Sequence, residues 1–343
     1  MHVNGKYIFF IYILVVTKCS KLSEKMLIGW TSWCVAAVDQ TGRVAAIVPI
    51  VLDAINFVTV EHHQWRSYGG WTYFLGDYYD MNITARFDDP NMVKLQEIED
   101  PYFYRERLTM PKFVVNAGQD EFQQPDDTHY WWSEMPGPKH FLLMPNTEHM
   151  CVLGIAQAIP AIGTWIAHLV KEIDVPQISW TISKANGDII GSVSGTSKVP
   201  NVTMWYAKTC SKEIPARRDF RLLNLDDPCT CGVAFDGQCI NQEAGRWYPK
   251  ILFPEADGTY VAHVDAVEEG RWTAFFIDFT FPVDNAHLYT VPMDYSIPTE
   301  PDQVGTWPYD LPGQLDFTTE VSIWPDVFPF EDCFGTECYG TLL

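Results

Sequence analysis

The chain has 343 residues, of which 47% are hydrophobic and 20% charged; that length allows about two domains and a sizeable buried core. Its 44 acidic and 23 basic residues leave a formal net charge of −21, and with no basic stripe to meet a phosphate backbone, nucleic-acid binding is excluded. Thirteen tryptophans and an aromatic content of 14% exclude a disordered chain.

The first element is an apolar run, Tyr7 to Val16, preceded by Lys6 and followed by Thr17-Lys18-Cys19-Ser20. It is too short to span a bilayer. It reads either as the core of a secretory signal, with Thr17 and Cys19 as small residues before a cut, or as a buried strand. Residues 29–40 read as a helix. Arg43 to Leu52 is a nearly unbroken apolar run, the mark of a strand buried on both faces of a parallel sheet. Residues 54–110 are aromatic and irregular, with helical pieces around 91–98. Lys112 to Ala117 is a second buried strand, a helix is expected near 125–134, and Lys139 to Pro145 is a third strand. A helix over roughly 151–173 carries Ile155, Ile159, Ile162, Ile166 and Leu169 on one stripe, and Pro160 should kink it or start it afresh. Strands alternating with helices indicate a three-layer α/β domain.

The pattern changes at Val175-Pro176. Ile178 to Ile182 alternates, Lys184 to Gly187 is a turn, and a return strand starts at Asp188. Val202 to Tyr206, Thr259 to Val264 and Trp272 to Phe281 alternate as half-buried antiparallel strands, the last with Phe275, Ile277, Phe279 and Phe281 on one face. Residues 282–314 read as a loop and Leu315 to Trp324 as a final strand. These features point to a β-sandwich.

The nine cysteines favour an oxidising compartment. Cys210, Cys229, Cys231 and Cys239 allow three disulfide pairings, and Cys333 and Cys338 can close a short loop. Their C-x-C and C-x4-C spacings do not suit zinc. The adjacent His62 and His63 lack the i, i+4 spacing of a helical metal pair and suit the mouth of an active site better. Neither a metal nor a cofactor is expected. Asn82-Ile83-Thr84 and Asn201-Val202-Thr203 are glycosylation sequons.

Chemistry gathers where parallel strands end. Asp120 follows the strand at 112–117, and His149 follows the strand at 139–145. Acid before histidine, on consecutive strands, matches the Ser…Asp…His order of α/β-hydrolases. Glu121 and Asp126 are rival acids, with Asp126 placed to cap the following helix. A nucleophile belongs on a G-x-S-x-G elbow, and no intact one occurs. The nearest candidate is Ser20, in Thr17-Lys18-Cys19-Ser20-Lys21; Ser32 falls inside a helix.

Several long segments together resemble one known family. They are Gly29 to Asp39, Arg43 to Asp53, His62 to Trp71, Asp100 to Arg105, Met110 to Ala117, Asp120 to Phe122, Pro145 to His149, Arg218 to Leu222, Gly270 to Phe276 and Phe317 to Val321. The chain resembles the PhoPQ-activated pathogenicity-related proteins, which include the secreted autocrine proliferation repressor proteins. That resemblance implies an α/β-hydrolase-like parallel sheet with helices over 29–175, N-terminally truncated, then an immunoglobulin- or fibronectin-like all-β sandwich over 176–343. Residues 1–28 form a divergent segment, either signal-like or the remnant of an elbow strand. It implies Asp120 as the triad acid, His149 as the base and Ser20 as the nucleophile. The family elbow reads V-T-G-x-S-K-R-G-W. Here Lys18 replaces the glycine, and Leu22 to Ile28 replace the single arginine. The expected product is a secreted, disulfide-bonded glycoprotein that is not an integral membrane protein. It is expected to be catalytically incomplete and to act as an extracellular signalling or binding protein with a cell-surface partner. The alternative is a serine hydrolase acting on a small-molecule or peptide ester or amide.

Overall fold

The computed structural model describes residues 2–3, 6–9, 26–52, 55–196, 198–265, 269–283 and 313–343, and side-chain packing from residue 29 onward. The first half builds a five-stranded sheet in the order β1 (His2–Val3), β2 (Lys6–Phe9), β3 (Val44–Ile47), β4 (Lys112–Ala117) and β5 (Lys139–Met144). β2 through β5 run parallel, and β1 pairs antiparallel with β2. All six residues of β4 are buried, as continuous apolar sequence in a covered parallel sheet demands.

Around this sheet lie α1 (Met26–Val38), α2 (Phe57–Tyr68), α3 (Gly76–Asp80), α4 (Pro90–Glu99) and α5 (Ile155–Val170). α4 starts where Asp89 accepts the Asn91 N–H at 2.8 Å and Pro90 occupies the first helical position, where its missing N–H costs nothing. The segment read as irregular before residue 70 contains α2. Its inner face buries Glu61, His63, Gln64 and Ser67 beside Phe57 and Val60, which hides the apolar period. Gly69, at φ +73°, closes that helix, in a conformation that costs glycine little. The helix expected near 125–134 is instead two short 3-10 turns, Asp127–Tyr130 and Trp132–Glu134. In α5 the buried residues include Ala158, Ala161, Trp165 and Ile166; of the expected isoleucine stripe, Ile166 is thus buried, and Ile162 and Leu169 pack half-buried against the same core. Pro160 sits within α5 without ending it.

The second half contributes β6 (Gln177–Ile182), β7 (Ile189–Ser194), β8 (Asn201–Lys208), β9 (Leu223–Asn224), β10 (Gly232–Phe235), β11 (Gln238–Asn241), β12 (Tyr248–Ile251), β13 (Tyr260–Ala262), β14 (Thr273–Pro282), β15 (Gln314–Thr318) and β16 (Ser322–Trp324). All of its sheets are antiparallel: β13-β7-β6, β12-β8-β14-β15 with β16 also on β14, and β10-β11-β9. The single strand expected at 315–324 is thus two. Most of the expected loop at 282–314 lies outside the described residues. Among the described residues the disulfides are Cys210–Cys231, Cys229–Cys239 and Cys333–Cys338.

β14 is not half-buried. Phe275, Ile277, Phe279 and Phe281 join a core with Ile189, Tyr260 and, from the first half, Phe113, Val115 and Trp165. Ala274 and Phe276 point the other way, into a core with Trp33, Trp131 and Trp247. One strand therefore serves two cores, each shared across residue 175. The cost is a polar one. Asp278 is 6% exposed on β14, and Trp205 Nε1 donates to it at 3.2 Å. Burial and the neighbouring Asp316 push its carboxyl well above the usual carboxylate range.

A carboxyl that holds its proton in the fold loses stability as pH rises past its unfolded value of about 3.9. Asp278→Asn is therefore expected to match the parent in melting temperature near pH 4 and to exceed it near pH 8. Equal melting temperatures at both pH values would contradict this.

Candidate active site

β4 ends at Ala117 and leads through Gly118 and Gln119 to Asp120; β5 ends at Met144 and leads through Asn146 and Thr147 to His149. Backbone bonds hold the two turns together. The Gly118 N–H donates to Met144 C=O at 2.8 Å, and the Gln119 N–H donates to Thr147 C=O at 2.9 Å. Asn146 adopts φ +52°, which its short polar side chain tolerates.

The structure brings Asp120 and His149 together. His149 Nδ1 lies 2.9 and 2.8 Å from the two Asp120 carboxylate oxygens, and both residues are 4% exposed. Asp120 Oδ1 also accepts the N–H groups of Phe122 at 2.7 Å and Gln123 at 3.2 Å. That fixes the carboxylate, and the carboxylate fixes the imidazole. Phe122 packs against the His149 ring with centroids 4.4 Å apart, and Phe74 stacks on Phe122 at 4.0 Å. A buried acid–imidazole pair with one ring nitrogen held by the acid can use its other nitrogen as a general base. Ser20, the expected nucleophile, lies outside the described residues.

Glu121 has a role that sequence reasoning left at rival acid. It is 2% exposed, and its Oε2 accepts the backbone N–H of His149 at 3.0 Å. Thr72 Oγ1 donates to the Glu121 C=O. Gln64 accepts the Thr72 N–H at 2.9 Å and donates to the Phe122 C=O at 3.0 Å. Burial, then the adjacent Asp120, pushes the Glu121 carboxyl up to about 7. Only its position beside Asp120 was visible in the sequence; the reach to His149 needs the fold.

Asp126 does not cap a helix. Its Oδ2 takes the Arg218 guanidinium at 2.7 Å and faces His63 Nε2 at 3.3 Å, while His63 Nδ1 lies 2.7 Å from Asp127. His63 is thus a buried member of an ionic cluster, not part of the mouth of the Asp120–His149 pair. Burial alone would lower its pKa; Asp126 and Asp127 outweigh that and raise it. His62 turns to Asp88 at 3.3 Å and Asp332 at 2.8 Å. It lies near Cys333 and Cys338, but their disulfide removes both sulfurs as thiolate ligands.

The second half of the chain holds both site loops. Trp247 Nε1 donates to Gly118 C=O at 2.9 Å. The Trp247 N–H donates to Asn146 Oδ1 at 2.8 Å, and Asn146 Nδ2 donates back to Trp247 C=O at 2.8 Å. The Leu222 N–H donates to Gln119 C=O at 3.1 Å.

Two measurements test this arrangement. Glu121 holds its proton in the fold up to about 7 and releases it near 4.3 when unfolded, so its contribution to stability declines over that window. Glu121→Gln should flatten the decline, read as melting temperature against pH; a curve parallel to the parent's would refute the assignment. Trp247→Phe deletes the donor to a buried carbonyl, at a cost of about 1–3 kcal/mol in chemical denaturation, and an unchanged midpoint would show that Trp247 does not tie the loops.

Comparison with known proteins places this chain in a family. The PhoPQ-activated pathogenicity-related protein model matches residues 11–221, a span containing Asp120 and His149. Autocrine proliferation repressor protein A of Dictyostelium discoideum is 31% identical over 315 residues, covering 89% of this chain and 56% of that protein. The chain therefore spans about half the length of this curated relative. Among solved structures, Est1E from Butyrivibrio proteoclasticus is similar over 42% of this chain and 58% of its own, at 11% identity and a TM-score of 0.28. The chain belongs to the PhoPQ-activated pathogenicity-related protein family.

Proposed function

We propose that this protein is a serine hydrolase of the α/β-hydrolase type, cleaving an ester or amide bond. The observation that carries the reading is the buried pair of His149 Nδ1 and Asp120, at 2.8 Å, on turns after adjacent parallel strands. In this reading His149 Nε2 takes the proton of the Ser20 hydroxyl as its oxygen attacks the carbonyl carbon of the substrate. The same nitrogen returns that proton to the departing alcohol or amine. Water then repeats the sequence on the acyl-enzyme, with His149 again base and then acid. Asp120 holds the ring in place and stabilises the imidazolium.

A second reading, an extracellular signalling or binding protein without catalysis, rests on different residues. Lys18 stands where the family elbow has glycine, and Leu22 to Ile28 stand where it has a single arginine. The similar Dictyostelium protein is named a proliferation repressor. Both readings place the protein outside the cell. Three disulfides support that, as do the exposed sequon asparagines Asn82 and Asn201. Among the described residues no helix is long and apolar enough to cross a membrane.

A fluorophosphonate probe separates the readings. The hydrolase reading expects covalent labelling that disappears in Ser20→Ala and falls by about 10²–10⁴ in rate in His149→Ala. Folded protein that takes no label rejects the hydrolase and leaves the signalling protein.

A further inference from the structure

His62, Asp88, Cys333 and Cys338 meet where the C-terminal segment packs on α2. One ligating atom each of His62, Cys333 and Cys338 falls in a group no wider than 4.8 Å. Asp88 closes the group: its Oδ1 lies 3.3 Å from His62 Nε2 and its Oδ2 4.0 Å from Cys338 Sγ. The two cysteines are 2% and 0% exposed, whereas the Asp88 side chain is 33% exposed, which leaves an approach from solvent. The sulfurs are joined as a disulfide; parted by reduction, they face an imidazole and a carboxylate.

The histidine is already set as a ligand. Its Nδ1 lies 2.8 Å from Asp332, and a carboxylate on one ring nitrogen is a common partner of an imidazole that binds metal through the other. In a neutral ring the Nδ1–H donates to Asp332, and the Nε2 lone pair faces the Asp88 carboxylate. Two acceptors at 3.3 Å repel each other unless a proton or a metal ion lies between them. Ligands on one tetrahedral zinc, with bonds of about 2.0–2.3 Å, stand about 3.3–3.8 Å apart. The imidazole and the carboxylate already have that spacing, and the sulfurs need only small side-chain turns to join them.

The donor set selects the ion. Two thiolates, an imidazole and one carboxylate give four positions of soft and borderline character, which suits zinc and does not suit calcium or magnesium. The C-x4-C spacing supplies half of that set. The fold supplies the other half, from α2 and the turn before α4.

We propose that, once the Cys333–Cys338 disulfide is reduced, His62, Asp88, Cys333 and Cys338 bind one zinc ion, with Asp332 orienting the imidazole. The reductant is a dithiol. One of its sulfurs attacks the disulfide, and its second sulfur resolves the mixed disulfide. The dithiol leaves as a cyclic disulfide, oxidised by two electrons, and its two protons remain on Cys333 and Cys338. Zinc then displaces both protons to solvent. The segment is stapled in either state, and its other ties stay in place: Trp71 Nε1 donates to the Cys338 C=O at 2.8 Å, and the Gly335 N–H donates to Asp88 Oδ2 at 2.8 Å. The site is independent of the hydrolase reading, since it shares no residue with the Asp120–His149 pair.

The test is to reduce the full chain with a water-soluble phosphine, remove the excess, and follow alkylation of each cysteine by peptide mass spectrometry with and without zinc. Zinc is expected to slow alkylation of Cys333 and Cys338 about tenfold or more in the unaltered protein. His62→Ala should lose that protection. Asp332→Asn, which keeps the shape of the side chain, should weaken zinc binding about 10–100-fold. The proposal is overturned if zinc leaves the two thiols as reactive as before, if His62→Ala is protected at the same zinc concentrations as the parent, or if Asp332→Asn holds zinc as tightly as the parent.

Discussion

The candidate site depends on a hydrogen-bond frame that joins two turns, and one corner of that frame is a tryptophan the site's own strands do not supply. Asp120 and His149 sit on separate turns, tied to each other by backbone bonds and by Glu121. Trp247 spans the gap, with its indole N–H on Gly118 and its backbone locked reciprocally to Asn146. A 2.8 Å contact between a carboxylate and an imidazole needs both turns held to within a fraction of an ångström. Rigid strands set the starting points; Glu121 and the bonds between the turns add to them, and the antiparallel half of the chain adds Trp247 and Leu222. The two halves are therefore mechanically one object, and β14, with a core on each face, is where they meet.

Burial of charge is the second organising fact. Arg218, Asp126, His63 and Asp127 form a nearly dry cluster joining α2, the segment after Asp120 and the chain before β9. Asp219 and Arg221 make a second pair, at 2.6 Å. Such pairs do little for net stability against an apolar alternative, but removing one member strands the other. Their value lies in register: each accepts only the partner that neutralises it. They fix how α2 and the 213–222 segment dock where apolar contact alone would permit sliding.

How much of this was legible follows from what each segment buries. β4 and β5 were readable to within a residue because continuous apolar sequence has few alternatives. So were the acid and the histidine that follow them, since the order of chemistry along the chain survives folding. α2 was not readable, because Glu61, His63 and Gln64 occupy the side that periodicity expects to be apolar. Asp126 looked like a helix cap because its partner, Arg218, is 92 residues away. The four-cysteine pairing needed distances that spacing does not contain. In β14 the aromatic alternation was visible, but nothing in the sequence marks the second core that packs against the opposite face, Ala274 and Phe276.

The buried carboxyls change what the net charge means. Burial pushes Glu61 to about 8, Glu213 to about 8 and Glu121 to about 7, while Asp278 is held higher still than an ordinary carboxyl. The formal −21 counts all four as anions. In neutral solution the folded molecule retains protons on Glu61, Glu213 and Asp278, and part of one on Glu121, that the open chain gives up. It therefore migrates in an electric field as a less acidic particle than its composition implies, and its unfolding acidifies an unbuffered solution. The surface keeps the strong negative field that discourages self-association, while the interior avoids the self-repulsion that the same carboxylates would create there.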